Sequence, residues 1–294
     1  MDRIERVAGI VITYHPDAEV MLNLAAVRPL VSELIVVDNG SDPGAFAMLQ
    51  KACDELGFDL IANSDNLGMP AALNIGIQRA IELGCDGLLL FDQDSRVTAG
   101  FVAAMLSTYA DLSTTRRIGI LVPQYTDLRT NQPLPFTYLR DGTLVTAISS
   151  GSLISVSTYL MCGPIADELF MDSFDHEYSL RIRKAGYIIA ECETAVLLHS
   201  PGTPRSHALF GLIKFKSTNY SPSRRYYMER NKVWLYRRYV LDFPAFCSRQ
   251  LLQSPIELLK ILLVESDKRE KCRFFFRGIY DGVRERMGKL RLEP

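Results

Sequence analysis

The sequence predicts an α/β fold, with a mostly parallel central sheet, helices on both faces and a helical C-terminal extension. Three observations predict it. Strand-like and helix-like segments alternate over the first hundred residues. The strand-like segments are continuous apolar runs, as expected of strands buried on both faces. From Arg224 onward the periodicity is helical.

The elements follow in order. Val7–Thr13 is a β-branched, apolar strand. A helix over about 17–28 carries Val20, Met21, Leu24 and Val27 at helical spacing. Leu34–Val37 is a second strand that runs into Asp38-Asn39-Gly40-Ser41. A helix lies between Gly44 and Gly57, and Asp59–Ala62 is a short third strand. Pro70 suits a helix start and opens a third helix, with Leu73, Ile77, Ala80 and Ile81 on one face. Gly76 within it permits a close neighbour. Leu88–Phe91 then runs into Asp92-Gln93-Asp94-Ser95, and Ile118–Val122 is a further strand.

Beyond it the alternation breaks. Residues 125–141, rich in Pro, Thr, Asn and Tyr, read as a long loop or lid. Thr143–Ser155 is strand-like around Ser149-Ser150-Gly151-Ser152. Asp175–Ala185 reads as a helix ended by Gly186, and Ile188–Leu198 as a strand ending at His199. Pro244 and Pro255 punctuate the C-terminal helices.

Composition narrows the class. The chain has 294 residues, 48% of them hydrophobic, enough for one large domain with an appendage. No run of 18 apolar residues suggests a membrane span, and Met1–Arg6 lacks a signal-peptide pattern. The six cysteines form no Cys-x-x-Cys pair and fit reduced thiols in a cytoplasmic protein. The net charge of −1 hides an asymmetry. Residues 1–204 hold 13 basic and 25 acidic side chains, and residues 205–294 hold 20 and 9. The basic end suits an anionic surface or substrate, or internal docking on the acidic body. The acidic body argues against nucleic acid.

Three clusters carry candidate chemistry. Asp92 and Asp94 lie at the end of a buried strand. On an extended segment their side chains face one side, two hard oxygen donors for Mg²⁺ or Mn²⁺; a polar turn with the aspartates capping the next helix is the alternative. Asp172, Asp175 and Glu177 surround a helix start, where acidic residues also favour the helix dipole. Clustered carboxylates raise one another's pKa, as a general base near neutrality requires. The stretch Arg224–Asn231 joins arginines, which fork onto phosphates, to aromatic rings; an amphipathic helix face is the alternative. Further on, Leu251-Leu252, Leu258–Val264 and Phe274–Phe276 with Arg273 and Arg277 fit a membrane interface, or packing on the body or in a homodimer.

The order of motifs resembles the inverting family 2 glycosyltransferases with the GT-A fold, specifically their bacterial rhamnosyltransferase branch. The matching pieces are Ile12-Thr13-Tyr14-His15-Pro16, Val37–Ser41, Asn66-Leu67-Gly68, Ala72–Gly76, Phe91–Ser95, Phe170–Glu177, His199 and Arg224–Asn231. The closing Gly278-Ile279-Tyr280-Asp281-Gly282 also suits that branch.

The resemblance implies a catalytic domain over 1–222, with a nucleotide-sugar half to about 117 and an acceptor half beyond, then a basic amphipathic helical region over 223–294. It implies that Thr13, Tyr14, His15, Asp38, Asn66, Asn74 and Asp92 seat the nucleotide sugar. Asn66 and Asn74 hold either the ribose or their own loop. Asp94 and His199 would hold Mg²⁺ or Mn²⁺. Asp175 would be the base, with Asp172 and Glu177 in support. Arg224, Arg225 and Arg230 would meet donor or lipid diphosphate. Ser149–Ser152 would floor the acceptor site, although close packing needs the same small residues.

The expected activity is transfer of L-rhamnose from dTDP-β-L-rhamnose to a hydroxyl of a lipid-linked surface polysaccharide, at the cytoplasmic face of the plasma membrane. Alternatives are another nucleotide sugar such as a UDP-hexose, or a non-catalytic nucleotide-sugar-binding component of an assembly complex.

Overall fold

The computed structural model describes residues 3–199, 205–209 and 213–291. They form two compact units, Met1–Asp167 with Tyr178–Ser200, and Glu168–Glu177 with Pro201–Pro294.

The first unit is built on one mixed sheet. Its strands are β1 (Val7–Thr13), β2 (Glu33–Asp38), β3 (Asp59–Ala62), β4 (Gly87–Asp92), β5 (Arg96–Val97), β6 (Ile118–Asp127), β7 (Gln132–Pro133), β8 (Leu153–Ser155) and β9 (Ile188–His199). The order is β3-β2-β1-β4-β8-β6-β9-β5, with β7 paired to β6. Strands β3, β2, β1 and β4 are parallel, as the βα alternation predicts. Their register aligns Thr13 with Asp38, and Ile12 with Asp92, so both carboxylates end the strands that flank β1, at one sheet edge. All seven residues of β1 are buried.

The helices α1 (Glu19–Val27), α2 (Pro43–Leu56), α3 (Met69–Glu82), α4 (Phe101–Ser113), α5 (Val156–Cys162) and α6 (Phe174–Lys184) follow their strands. Asp42 caps α2 by accepting from the N–H groups of Gly44 and Ala45, Pro43 fills the first turn, and Gly57 ends it left-handed. A Cβ on Gly76 would lie 2.5 Å from Ile10 Cγ2, so α3 rests directly on β1 there. Helices α4 and α5 do not figure among the sequence expectations. Phe101, Val102, Met105 and Tyr109 form the buried face of α4.

Two segments depart from expectation. The strand predicted over Thr143–Ser155 shrinks to Leu153–Ser155. A turn precedes it, with Ser152 N–H donating to Ser149 C=O and Gly151 at φ +76°. The long 125–141 segment is partly regular: β6 continues to Asp127 and pairs with β7, and Tyr138 bridges Leu144.

In the second unit, β10 (Arg205–Leu209) and β11 (Ile213–Ser217) pair antiparallel. Helices α7 (Pro222–Tyr239), α8 (Pro244–Val264) and α9 (Lys268–Val283) follow. Pro255 lies inside α8 and does not end it. Gly278 and Gly282 let α9 meet α7 at backbone distance, since a Cβ on Gly278 would lie 2.4 Å from Tyr226 O.

Candidate active site

The first unit carries the nucleotide-side residues at the carboxyl edge of its parallel strands, where ligands bind open α/β sheets. Asp38 is 2% exposed. Its carboxylate accepts from Thr13 Oγ1 (3.1 Å), Ser41 N–H (3.0 Å) and Ser41 Oγ (2.5 Å). Three donors fix its orientation and leave part of its acceptor capacity for a ligand. Thr13 is fully buried, so its part is to orient Asp38 rather than to line a base as the sequence suggests.

Tyr14 and His15 stand at the rim. Tyr14 is 46% exposed, with its ring centroid 4.2 Å from that of His15. Tyr14 N–H donates to Gln93 Oε1 (2.8 Å), and His15 Nδ1 meets Asp42 Oδ2 (2.8 Å). Gln93, to which the sequence assigns no role, thus positions this rim.

Asn39 is the residue that sequence reasoning misses. Its Oδ1 accepts from Asn63 Nδ2 and Leu67 N–H, each at 3.1 Å. Its Nδ2 donates to Asn66 Oδ1 and Gly68 C=O, each at 3.2 Å. One carboxamide ties two loops together, and Gly40 makes room for it. Gly40 has φ +81°, and a Cβ there would lie 2.6 Å from the Asp65 carbonyl carbon. Asn66 holds the loop, because its Oδ1 also accepts from Gly68 N–H (2.9 Å). Asn74 binds protein too: Nδ2 donates to Ile165 C=O (2.8 Å), and Oδ1 accepts from Ile165 N–H (3.0 Å) and Tyr159 OH (3.1 Å). Of the two readings open for these asparagines, the structure displays the loop-holding one.

Asp92 ends β4, and the chain turns directly after it, so Asp94 does not continue the extended segment. Ser95 N–H donates to Asp92 C=O (3.0 Å), and Asp92 N–H donates to Ser95 Oγ (3.1 Å). The turn, rather than strand alternation, therefore sets how Asp92 and Asp94 stand to one another. Asp94 is exposed and Asp92 half-buried. Among the described residues, no group of three or more His, Cys, Asp or Glu could hold a metal. His199 ends β9 opposite Asp127, and its side chain lies outside those described. The oxygen donors at the turn fit Mg²⁺ or Mn²⁺, ions that keep one or two carboxylates and complete their shell with phosphate oxygens and water.

Ser149–Ser152 packs against protein. Ser150 Oγ meets Ser95 Oγ (2.6 Å), and a Cβ on Gly151 would lie 2.8 Å from Pro123 Cγ. Close packing explains the small residues.

The second unit holds the acidic segment in an unusual backbone. Phe170, Asp172 and Ser173 have φ values of +63°, +57° and +64°. Such residues cost on the order of 1–3 kcal/mol each and persist only where the surroundings over-determine them. Asn231 does so here, its Nδ2 within 3.1 Å of the carbonyls of Leu169, Met171 and Asp172. Arg230 adds a bond to Leu169 C=O (2.8 Å), and Phe170 stacks on Tyr227 at 5.0 Å. Burial pushes the Asp172 carboxyl up, the Asp175 charge adds to this, and the Arg224 guanidinium opposes without cancelling it. Arg224 Nε lies 3.2 Å from Asp172 Oδ2. Glu177 is 3% exposed and accepts from Tyr239 OH at 2.6 Å. Asp175 stands half-buried in the first turn of α6, with Oδ1 accepting from His176 N–H (2.8 Å).

The arginines correct the sequence reading. Arg225 and Arg230 are fully buried. Arg225 pairs with Glu257 (2.7 Å) and Glu265 (2.5 Å). Arg230 donates to Gly288 C=O (2.6 Å) as well as to Leu169. Their forks are occupied by protein groups, so neither meets a diphosphate. Arg224 alone of the three is substantially exposed, and it lies against Asp172 and the Tyr220 ring.

Two solved structures share this fold. A mannosyltransferase from Pyrobaculum calidifontis, solved with GDP-Man and Mn²⁺, aligns over 95% of this chain and 87% of its own, with TM-score 0.59 and 12% identity. GalNAc-T7, solved with UDP, GalNAc and Mn²⁺, aligns over 97% of this chain, with TM-score 0.62 and 13% identity; the chain spans 57% of that structure. The sheet and its flanking helices are those of a GT-A glycosyltransferase fold. Residues 11–143 match glycosyl transferase family 2. The dTDP-rhamnosyl transferase RfbF of Shigella flexneri is 28% identical over 94% of this chain and 95% of its own length. Residues 11–143 thus carry a match to glycosyl transferase family 2, and the protein is a glycosyltransferase.

Proposed function

We propose that the protein is a metal-dependent, inverting rhamnosyltransferase that moves L-rhamnose from dTDP-β-L-rhamnose to a hydroxyl of a lipid-linked surface polysaccharide. The observation that carries this reading is the end-to-end similarity to a dTDP-rhamnosyl transferase, which extends well past the family match at residue 143. Asp38 would accept the N3–H of the pyrimidine, with Tyr14 and His15 at the base and ribose. Asp94, with His199, would hold Mg²⁺ or Mn²⁺, and Asp92 would support it. A divalent cation there stabilises charge on the departing diphosphate. Asp175 would take the proton from the attacking hydroxyl, and inversion needs no covalent enzyme intermediate.

Calorimetric titration tests the donor. With Mg²⁺ or Mn²⁺, dTDP-L-rhamnose and dTDP are expected to bind at least tenfold more tightly than UDP-glucose and UDP, a gap of about 1.4 kcal/mol. Uridine preference would move the donor to another sugar. Absence of binding by all four would favour the non-catalytic reading.

The second unit would sit on the cytoplasmic membrane surface. Leu252, Ile256, Leu259 and Leu263 recur at helical spacing along α8 and are exposed, as are Phe276, Tyr280 and Val283 on α9. Basic residues including Arg249, Lys268, Arg269 and Arg273 accompany them. No described helix is long and apolar enough to cross a membrane. Co-sedimentation with vesicles containing phosphatidylglycerol is expected, with loss in the Ile256→Glu/Leu259→Glu double variant. Equal sedimentation of both proteins, or none by either, would leave a second copy as the partner of this face.

A further inference from the structure

The segment 125–148 of the first unit forms a groove that the donor-side residues do not use. Its volume is about 250 Å³, and its lining includes Tyr125, Phe136, Thr137, Val145, Thr146 and Ile148. We propose that this groove is a saccharide subsite that receives a pyranose ring of the acceptor; the proposal rests on the glycosyltransferase reading and specifies where its acceptor lies.

Aromatic faces support it first. Phe136 lines the groove over the buried Tyr125 ring, at 5.5 Å between centroids, and Tyr138 meets Phe136 edge-on at 6.2 Å. The C–H face of a pyranose lies well against such rings, because the ring face is the negative end of its quadrupole. The rim supplies polar groups that a purely apolar ligand would leave unused. Thr137 and Thr146 bring hydroxyls. Tyr138 donates its hydroxyl to Glu191, and that hydrogen bond raises the phenol to about 12. A few polar groups beside apolar walls are what orients a small ligand.

The groove is also pre-built. Leu134 N–H donates to Tyr125 C=O (2.8 Å), which holds one wall. The other is held by Leu144 N–H to Ile189 C=O (2.9 Å), Arg183 to Leu144 C=O (2.8 Å) and Ala147 N–H to Ser179 Oγ (3.0 Å).

Its location completes the argument. Tyr125 OH donates to Ser150 C=O (2.8 Å), Ser150 Oγ meets Ser95 Oγ (2.6 Å), and Ser95 Oγ accepts from Asp92 N–H (3.1 Å). The wall of the groove is thus joined by hydrogen bonds to the carboxylate turn.

Saturation-transfer NMR of the full chain tests the proposal. The probes are methyl α-L-rhamnopyranoside, methyl β-D-glucopyranoside and methyl N-acetyl-β-D-glucosaminide, each with and without excess dTDP and Mg²⁺. At least one is expected to receive saturation that survives dTDP. That signal should fall about fivefold in Phe136→Ala, the worth of one stacked ring, and return in Phe136→Tyr. Thr137→Trp, at an exposed position, should reduce it by filling the groove without removing a packed ring. No saturation in any probe, complete loss with dTDP, or equal signals in wild type and Thr137→Trp would overturn the subsite. The nucleotide-sugar titration reads the transferase assignment separately, so either can fail while the other stands.

Discussion

Replacement of Asp175 by asparagine is expected to abolish sugar transfer and leave nucleotide-sugar binding within about twofold of wild type. Asparagine keeps the shape and the hydrogen bond from His176 N–H but cannot accept a proton. Loss of a general base costs about 10²–10⁴-fold in rate. The three carboxylates of this segment are not equivalent. Arg224 forks onto Asp172, and Glu177 is buried against the Tyr239 hydroxyl. Those partners give Asp172 and Glu177 tasks within the protein, and Asp175, in the first turn of α6, is the proposed base by its position in the motif. The competing outcome is concrete. Near-normal turnover in Asp175→Asn together with inactive Asp172→Asn would move the base to Asp172, whose carboxyl burial already pushes up.

The largest effect on stability is expected from Glu265→Ala. Glu265 has a fully buried side chain between two buried cations, with Arg225 Nη2 at 2.5 Å and Lys271 Nζ at 3.0 Å, and Ser217 Oγ donates to it at 2.7 Å. Removal of Glu265 takes from the buried Lys271 its carboxylate and leaves Arg225 with Glu257 alone, and breaking a buried ion cluster in this way costs about 3–5 kcal/mol. The single tryptophan, Trp234, is buried in α7 of the same unit, so its fluorescence in a urea titration reports the loss. A change below about 1 kcal/mol, the range of an exposed pair, would refute the assignment.

The same cluster has a pH signature. Burial alone raises the Glu265 carboxyl. Hydrogen bonds from Ser217 and Lys271, with the charges of Arg225 and Lys271, outweigh burial and hold the group below the usual glutamate range. Its contribution is therefore full above the unfolded glutamate value and disappears as pH falls through the lower folded one. Glu257 shifts the same way, its burial outweighed by Lys260 and Arg225. Acid should unfold this unit with uptake of protons by both.

Local pattern explains what the sequence reveals. The bounds of β1 and β3 coincide with expectation because β-branched, apolar runs and flanking turns encode them locally. Asp38 and Asp92 are legible because a carboxylate that ends an apolar strand is conspicuous. Asn231 is not, since its partners are carbonyls 59 to 62 positions away, and no periodicity encodes that. Arg225 and Arg230 read as phosphate ligands because composition does not foretell that Glu257 and Glu265, 32 and 40 positions on, return to cover Arg225. Strand alternation likewise misplaces Asp94, because the chain turns directly after Asp92, whose N–H donates to Ser95 Oγ.

The Asn39-Gly40 pair ties the chemical ageing of the protein to its folding. Asparagine before glycine cyclises readily through the next backbone nitrogen and loses ammonia, since no side chain obstructs the attack. In the native loop the Asn39 carboxamide is 3% exposed and held from both ends. Deamidation to aspartate would set oxygen against the Asn66 side-chain oxygen and the Gly68 carbonyl, acceptor against acceptor. Damage therefore accumulates in whatever fraction of time this loop stands open, and once made it keeps the loop from closing. Deamidation at Asn39 is thus governed by opening of its own loop rather than by the melting of the whole chain.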